Sequence, residues 1–301
     1  MTFEVLILGS NSAIPTLKRH PSSQLVLFDQ MPYLIDCGEG TQLQLRRYKQ
    51  KFQKIRQIFI SHLHGDHYYG LPGLITSMHL LGREKPLSLF GPKGIKEILD
   101  VNFKHSRTKL RYPLEIIELE EEQRYIYEDE RIKVRTLLLE HRVPTFGYVF
   151  EEQKRELRVN KVAIEKYNLS LKEILDVKAG KPVFRNETQI DQSELTLEEQ
   201  PLRSYAYCSD TGFKPDLAQS IGNVNLLYHE ATFMEDMKKR ASETLHSTAK
   251  QAAEIAKLSG AEKLIIGHFS TRYEELDGLL DEARRVFENT EIAAEGESFR
   301  I

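Results

Sequence analysis

A chain of 301 residues, 40% hydrophobic and 29% charged with a net charge of −3, is long enough to bury a sizeable core and balanced like a water-borne globular protein. That charge argues against a generic polyanion binder, and no apolar run approaches the ~20 residues a bilayer span needs. Two cysteines exclude a disulfide framework, and the start Met1-Thr2-Phe3-Glu4-Val5-Leu6 reads as a strand rather than a leader, which predicts a cytoplasmic protein.

In chain order, apolar runs over residues 5–8, 25–28 and 33–35 predict the first strands. Cys37 follows the third beside Asp36 and reads, like Cys208 later, as a small buried residue. After Gly38-Glu39-Gly40 the pattern predicts a helix from Thr41 to Lys54. This stretch carries the basic run Arg46, Arg47, Lys49, Lys51, Lys54 and Arg56. Residues 58–60 predict a buried strand that leads into Ser61-His62-Leu63-His64-Gly65-Asp66-His67-Tyr68-Tyr69-Gly70-Leu71. Side chains two apart in extended backbone point the same way, so His62 and His64 can grip one cation together. Gly65 permits a turn that swings Asp66 and His67 toward a second. Imidazole nitrogen with a little carboxylate is the donor set zinc prefers, with manganese or iron as alternatives. Chance clustering of surface histidines is a poor account of a group that caps a buried strand.

Further strands are predicted at 87–90, 114–119, 132–139, 147–151, 204–208, 223–229 and 263–267. Helices are predicted from Pro92 to Phe103, from Thr248 to Leu258 before Gly260, and from Tyr273 to Phe287. Acidic residues gather at Glu118, Glu120, Glu121 and Glu122. Strands that outnumber the helices punctuating both halves predict an α/β fold: two packed sheets with helices outside, a four-layer αββα sandwich over residues 1–301. Residues 152–200 interrupt it with a polar insertion whose middle, 162–175, reads as helical. Its cations begin with Lys154, Arg155, Arg158 and Lys161 and continue to Arg185. An insertion of this kind is usually functional or mobile rather than core. Two cations need about seven ligands, and His141, Asp210 and His268 each follow a predicted strand, where such sheets gather their functional loops.

The pattern His62-x-His64-x-Asp66-His67 with later single His, Asp and His residues resembles the metallo-β-lactamase superfamily. Several other segments narrow the resemblance to the ribonuclease Z family of tRNA 3′-processing endonucleases. These are Gly9-Ser10 with Pro15 and Arg19, the run from Asp36 through Gln42, Ser209-Asp210-Thr211, His229-Glu230-Ala231-Thr232-Phe233, His246-Ser247-Thr248 and Gly267-His268-Phe269-Ser270. The resemblance covers nearly the whole chain. It implies two zinc ions per subunit, one held by His62, His64 and His141, the other by Asp66, His67 and His268, with Asp210 bridging. It further implies a hydroxide between the ions attacking the phosphate, with Asp66 as proton acceptor by family convention. A metal-bound carboxylate is a poor base, so an orienting role for Asp66 stands beside that one. His246, similar to a family histidine at the scissile phosphate and paired with Glu230, would donate to the departing 3′-oxygen.

Precursor tRNA as substrate and a homodimer are likewise implied. The helix after Gly40 would lie near the interface, and Leu43, Leu45 and Tyr48 fit such a face. Residues 152–186 stand where the family carries a tRNA-binding arm, yet they hold one glycine, Gly180, and one proline, Pro182, where family arms are rich in both. The loop Pro15 to His20 also lacks the asparagine that follows the arginine in the family form. The same metals would serve a phosphodiesterase for cyclic nucleotides or aryl esters. An acyl or lactone hydrolase would have no need of His246 with Glu230. Of the histidines left over, His20, His79, His105 and His229, His79 and His105 read as structural or solvated and His229 as a neighbour of the site rather than a ligand.

Overall fold

Two seven-stranded sheets lie face to face. The computed structural model describes residues 2–120, 125–153, 157–198 and 201–301; Glu121, Glu122, Lys154 and Arg155, named above, lie outside the described residues. In the first sheet Ser298–Arg300, Phe3–Gly9, Ser23–Phe28, Met31–Ile35, Gln57–Phe59, Leu87–Pro92 and Leu114–Leu119 are neighbours in that order. The second runs Thr290–Ile292, Leu264–Gly267, Leu226–Glu230, Ser204–Cys208, Thr145–Glu152, Ile132–Leu139 and Tyr125–Glu128.

Alternation along each strand decides the layers. Phe3, Val5 and Ile7 face the second sheet and meet Phe146, Tyr148, Phe150, Tyr205 and Tyr207 in the central core. Leu6 and Leu8 face outward, under the helices Thr41–Arg47, Leu71–Leu80 and Ile95–Ser106. The outer face of the second sheet is covered by Leu217–Ile221, Ala249–Ser259 and Asp277–Arg284. Apolar residues on both faces make these strands read as near-continuous hydrophobic runs. The expected αββα sandwich is what the chain forms. Cys37 and Cys208 are both buried and unpaired. No helix among the described residues is long and apolar enough to cross a membrane.

Helix ends depart from the sequence pattern. The helix expected to reach Lys54 stops at Arg47, because Lys49 takes a left-handed backbone (φ 57°) and Gln50 N–H bonds back to Leu45 O at 2.7 Å. A separate 3-10 turn, Phe52–Lys54, follows. Leu45 therefore belongs to the core rather than to an interface, and of the three residues considered Leu43 is the exposed one. Pro92 ends a strand, and the next helix starts at Ile95 behind Gly94. The last helix spans Asp277–Arg284, shorter than its pattern.

The insertion is a small folded unit. Asn160 caps the helix Lys161–Lys166, and Ser170 with Glu173 forms a capping box for Leu171–Lys178. Ala163, Leu169, Val177, Val183, Ile190 and Leu195 make a cluster of their own. The insertion links two adjacent antiparallel strands, Thr145–Glu152 and Ser204–Cys208, and the Arg203 guanidinium clasps buried Glu152 at 2.8 and 2.9 Å across its base. A segment hung between paired strands lengthens without disturbing the sheet, since loop closure costs little more as a loop grows.

Candidate metal centre

Strand ends at one edge of the sandwich deliver all seven ligand candidates. The strand Gln57–Phe59 runs out into His62 and His64, with His64 still extended (φ −78°, ψ 145°). The chain then coils at once into the short helix Gly65–Tyr68, so Asp66 and His67 are placed by a helical turn rather than by a special glycine conformation. His141 follows Ile132–Leu139, Asp210 follows Ser204–Cys208, and His268 follows Leu264–Gly267.

Two groups of donors result. His62 Nε2 lies 3.0 Å from His64 Nδ1, which lies 3.2 Å from His141 Nε2. Asp210 Oδ2 completes this group, 3.6 Å from His62 Nε2 and 3.8 Å from His141 Nε2. In the second group His67 Nε2 is 3.5 Å from Asp66 Oδ2 and 3.3 Å from Asp210 Oδ1. His268 Nε2 is 3.4 Å from Asp66 Oδ2 and 3.1 Å from Asp210 Oδ1. Donors about 2.0–2.1 Å from a tetrahedral cation stand about 3.3–3.4 Å apart, and the separations in both groups, 3.0 to 3.8 Å, bracket that value. Asp210 turns one oxygen to each.

The surroundings hold the rings in ligand form. His62 Nδ1 meets Ser61 Oγ at 3.1 Å, His67 Nδ1 meets Asp36 Oδ2 at 2.8 Å, His141 Nδ1 meets Leu245 O at 2.9 Å and His268 Nδ1 meets Thr232 Oγ1 at 2.9 Å. Occupying Nδ1 leaves the Nε2 lone pair for a cation. His67 Nε2 is buried without a hydrogen-bond partner. Burial lowers the pKa of His62, His64 and His141, favouring the neutral imidazole that ligates. His67 goes the other way: burial opposes its charge, but Asp210, Asp66 and Asp36 together raise it well above the usual range. Burial would likewise raise Asp66 and Asp210, yet the imidazoles around them hold both below the usual carboxylate range. A buried cavity whose carboxylates are ionised, and whose last imidazole donor lacks a partner, fits divalent cations.

His246 is placed differently. Its Nδ1 lies 2.9 Å from Oε1 of Glu230, which is fully buried. Glu230 also accepts from Thr232 N at 2.9 Å, Thr232 Oγ at 2.8 Å, Ser247 N at 2.9 Å and Thr211 N at 3.2 Å. Burial disfavours a charged His246, but Glu230 outweighs it and pushes the imidazole up to about 9. His246 stands within 4.8 Å of the Asp210 and His268 donors, although its Nδ1 is committed to Glu230.

Sequence reasoning passed over two residues that arrange this site. Asp36 is fully buried and accepts from Ser61 N, Ser61 Oγ, His67 Nδ1 and Tyr207 OH at 2.7 to 2.8 Å. Thr232 links His268 to Glu230. Both lie in segments that carried the resemblance, but partners 31 and 171 residues away in the case of Asp36 leave no local signal. His229 is buried on the Glu230 carbonyl at 2.7 Å, and His20 pairs with Glu295 at 2.9 Å. His79 accepts from Arg111 N at 3.1 Å, and His105 is exposed. None of the four joins the donor groups.

The donors open into a cavity of about 520 Å³ whose walls include Ile14, Pro15, Tyr69, Arg142 and His246. Its size suits a small ligand or a short segment of a polymer.

The family profile described as Anti-Pycsar protein Apyc1 matches residues 3–156, and that described as Beta-lactamase superfamily domain matches residues 162–269. A ribonuclease Z from Porphyromonas gingivalis is 46% identical over 295 residues, covering 97% of each chain. Another from Cytophaga hutchinsonii is 43% identical over 304 residues, covering 100% of this chain and 97% of its own. The crystal structure of the short form of human tRNase Z aligns over 98% of each chain at 26% identity, with a TM-score of 0.71. With relatives of that identity matched end to end, the chain belongs to the ribonuclease Z family.

Proposed function

We propose that the chain is a metal-dependent endoribonuclease that removes the 3′ trailer from precursor tRNA, with two divalent ions, zinc by donor preference, in each subunit. His62, His64 and His141 would hold one, Asp66, His67 and His268 the other, and Asp210 would serve both. When bound, such ions supply Lewis-acid polarisation of a phosphate and a water of lowered pKa.

The observation that carries the reading from fold to reaction is the His246–Glu230 pair. Glu230 is anchored by main-chain and hydroxyl donors and favours the protonated form of His246, on the wall of the cavity and beside the donor groups. A cationic acid there neutralises charge gathering on a phosphate and returns a proton to the departing 3′-oxygen. Asp66, whose Oδ2 accepts from Ala13 N–H at 2.7 Å, is fixed toward the cavity to orient or take up a proton from the attacking water. An acyl hydrolase of this fold has no use for a buried carboxylate–imidazolium pair beside its metals.

The insertion is proposed as a second contact for the tRNA body, supported by its separate core and its position between two strands of the sandwich. Replacing residues 157–198 by a short flexible linker should abolish tRNA cleavage and spare bis(p-nitrophenyl) phosphate. Equal loss on both substrates would make the insertion structural. A cytoplasmic homodimer completes the proposal, and sedimentation velocity checks the dimer. The deciding assay is cleavage of a tRNA with a 3′ trailer, product ends mapped. Cutting at the end of the acceptor stem supports the reading, and hydrolysis of small diesters alone supports the cyclic-nucleotide or aryl phosphodiesterase.

A further inference from the structure

Among the described residues on the cavity wall, Arg142 is the one lysine or arginine, and no role assigned above uses it. It follows the ligand candidate His141 and is exposed. It also borders a second cavity of about 280 Å³, walled by Leu138, Val143, Pro144 and Thr145 among others, so it stands on the ridge where the two meet. This ridge is the turn between two strands of the second sheet, whereas the helix after Gly40, where a subunit interface is expected, covers the first.

One turn fixes Arg142 relative to the chemistry. The helix Lys238–Thr244 ends at Leu245, whose backbone is left-handed (φ 55°), and His246 comes next. Arg142 Nη2 donates to Glu243 O at 3.0 Å, and His141 Nδ1 donates to Leu245 O at 2.9 Å. The rings of His141 and His246 lie 5.1 Å apart. A ligand candidate, the proposed acid and a fixed cation are thus tied to the same few residues.

An arginine at a helix C-terminus often does no more than cap it. Here the cap takes one of the five guanidinium N–H donors, and the others bond no protein acceptor among the described residues. Nor is the charge neutralised. Arg142 pairs with no carboxylate among the described residues, Glu39 of the same wall included. The two acids nearest it along these segments are turned elsewhere. Glu243 Oε2 meets Arg240 Nη1 at 3.7 Å, and Glu140 Oε2 lies beside Gly212. An unpaired guanidinium with a free fork of donors, aimed over a cavity, suits a phosphate.

We infer that Arg142 grips the RNA phosphate immediately 5′ of the scissile one, on the mature side of the cut. The inference rests on the tRNA reading above. His246 faces the departing 3′-oxygen in that reading, so the nucleotide that carries this oxygen lies on the His246 side of the cavity, where Arg142 stands. The phosphate at the other end of that nucleotide is the one the guanidinium meets. A lone small diester has no second phosphate, so the contact selects a polynucleotide.

The test compares wild type, Arg142→Gln and Arg142→Lys on three precursor tRNAs. One is unmodified, one has an uncharged methylphosphonate immediately 5′ of the scissile phosphate, and one has it immediately 3′. Metal content and melting temperature are measured alongside kcat/KM. On the unmodified RNA Arg142→Gln should lose about 10–100-fold, as for a hydrogen bond to a charged group. Arg142→Lys should recover part of that loss, since it keeps the charge without the fork. With the 5′ phosphate neutral, wild type should lose about as much, and the two variants should match it within about twofold. With the 3′ phosphate neutral, the full difference between wild type and Arg142→Gln should remain. Equal losses for Arg142→Gln on all three RNAs overturn the inference, because a helix cap does not read one phosphate. So does a wild type that cuts the 5′-modified RNA as well as the unmodified one, an arm that needs no variant to fold. A difference that vanishes only on the 3′-modified RNA overturns the placement on the mature side. Failure of wild type to cut unmodified precursor tRNA would refute the functional reading instead.

Discussion

Asp36→Asn isolates what the buried carboxylate behind the metal centre does. The side chain keeps its shape, and Oδ1 can still accept from Ser61 N–H, 2.7 Å away. The other oxygen becomes an amide nitrogen, facing Ser61 Oγ, His67 Nδ1 and Tyr207 OH at 2.8, 2.8 and 2.7 Å. The two hydroxyls can rotate and accept. His67 Nδ1–H cannot, and it loses a bond to a charged acceptor worth about 1.5–3 kcal/mol in a fully buried place. With that bond gone, only the longer contact of Ser61 Oγ to His67 Nδ1, 3.3 Å, favours the tautomer that presents Nε2 to Asp66 and Asp210. Loss of such an orienting carboxylate typically lowers metal affinity 10–100-fold, which is about 1.4–2.7 kcal/mol. The expected outcome is a metal-free protein less stable by about 2 kcal/mol to urea and, by chelator competition, one of two sites weakened at least tenfold. Metal affinity within twofold of wild type, with stability reduced, would show that Asp36 serves the fold alone and would refute the claim that it orients His67.

Four other substitutions test the remaining roles. His246→Ala should lower turnover of precursor tRNA about 10²–10⁴-fold while metal content stays intact. The loss should be far smaller on a p-nitrophenyl ester, whose leaving group needs no proton, and equal losses would remove the acid role. Thr232→Val deletes the hydroxyl between His268 and Glu230. It should weaken metal retention about tenfold with little change in volume, and an unaltered chelator titration would count against it. Gly38→Ala places a Cβ 2.4 Å from Asp66 O and 2.7 Å from Pro21 Cβ, so the metal loop must shift, at a cost of about 1–3 kcal/mol. Gly73→Ala meets no atom within 4 Å on a helix and should gain about 0.5–1 kcal/mol. Melting temperatures that move alike in both variants would refute the packing argument.

Much of the architecture was legible because both sheets are buried on both faces. Runs such as Val134 to Leu139 and Leu264 to Ile266 admit few readings other than strands, and the ligand-type residues stand directly after them. Helix ends were harder. Lys49 closes its helix in a left-handed conformation that glycine usually marks, so the pattern overran to Lys54. The short helices of the insertion bury one face against a local cluster, and segments of 6 and 8 residues offer too few turns for a clear period. The cations of residues 152–186 suggested a basic arm; the folded unit runs on through Glu187, Asp191, Glu194 and Glu198, which cancel them.

The orienting contacts were illegible for a different reason, and it bears on how the two donor groups are held. The first sheet and the loop after it supply His62, His64, Asp66 and His67, the second sheet His141, Asp210 and His268, and each donor group draws on both sheets. A geometry shared between two sheets is only as firm as the bonds that cross between them. Tyr207 of the second sheet reaches Asp36 of the first at 2.7 Å, and Tyr148 reaches Ile60 O at 2.6 Å. Ser209 Oγ meets Ser61 Oγ at 3.1 Å. These buried hydroxyls bond directly beneath the metal loop and hold the two sides of the centre in register. Periodicity reports which residues face inward, not which inward-facing hydroxyl finds a carboxylate in the other half of the chain. The donors could be read from the sequence; the distances between them belong to the packing of one sheet on the other.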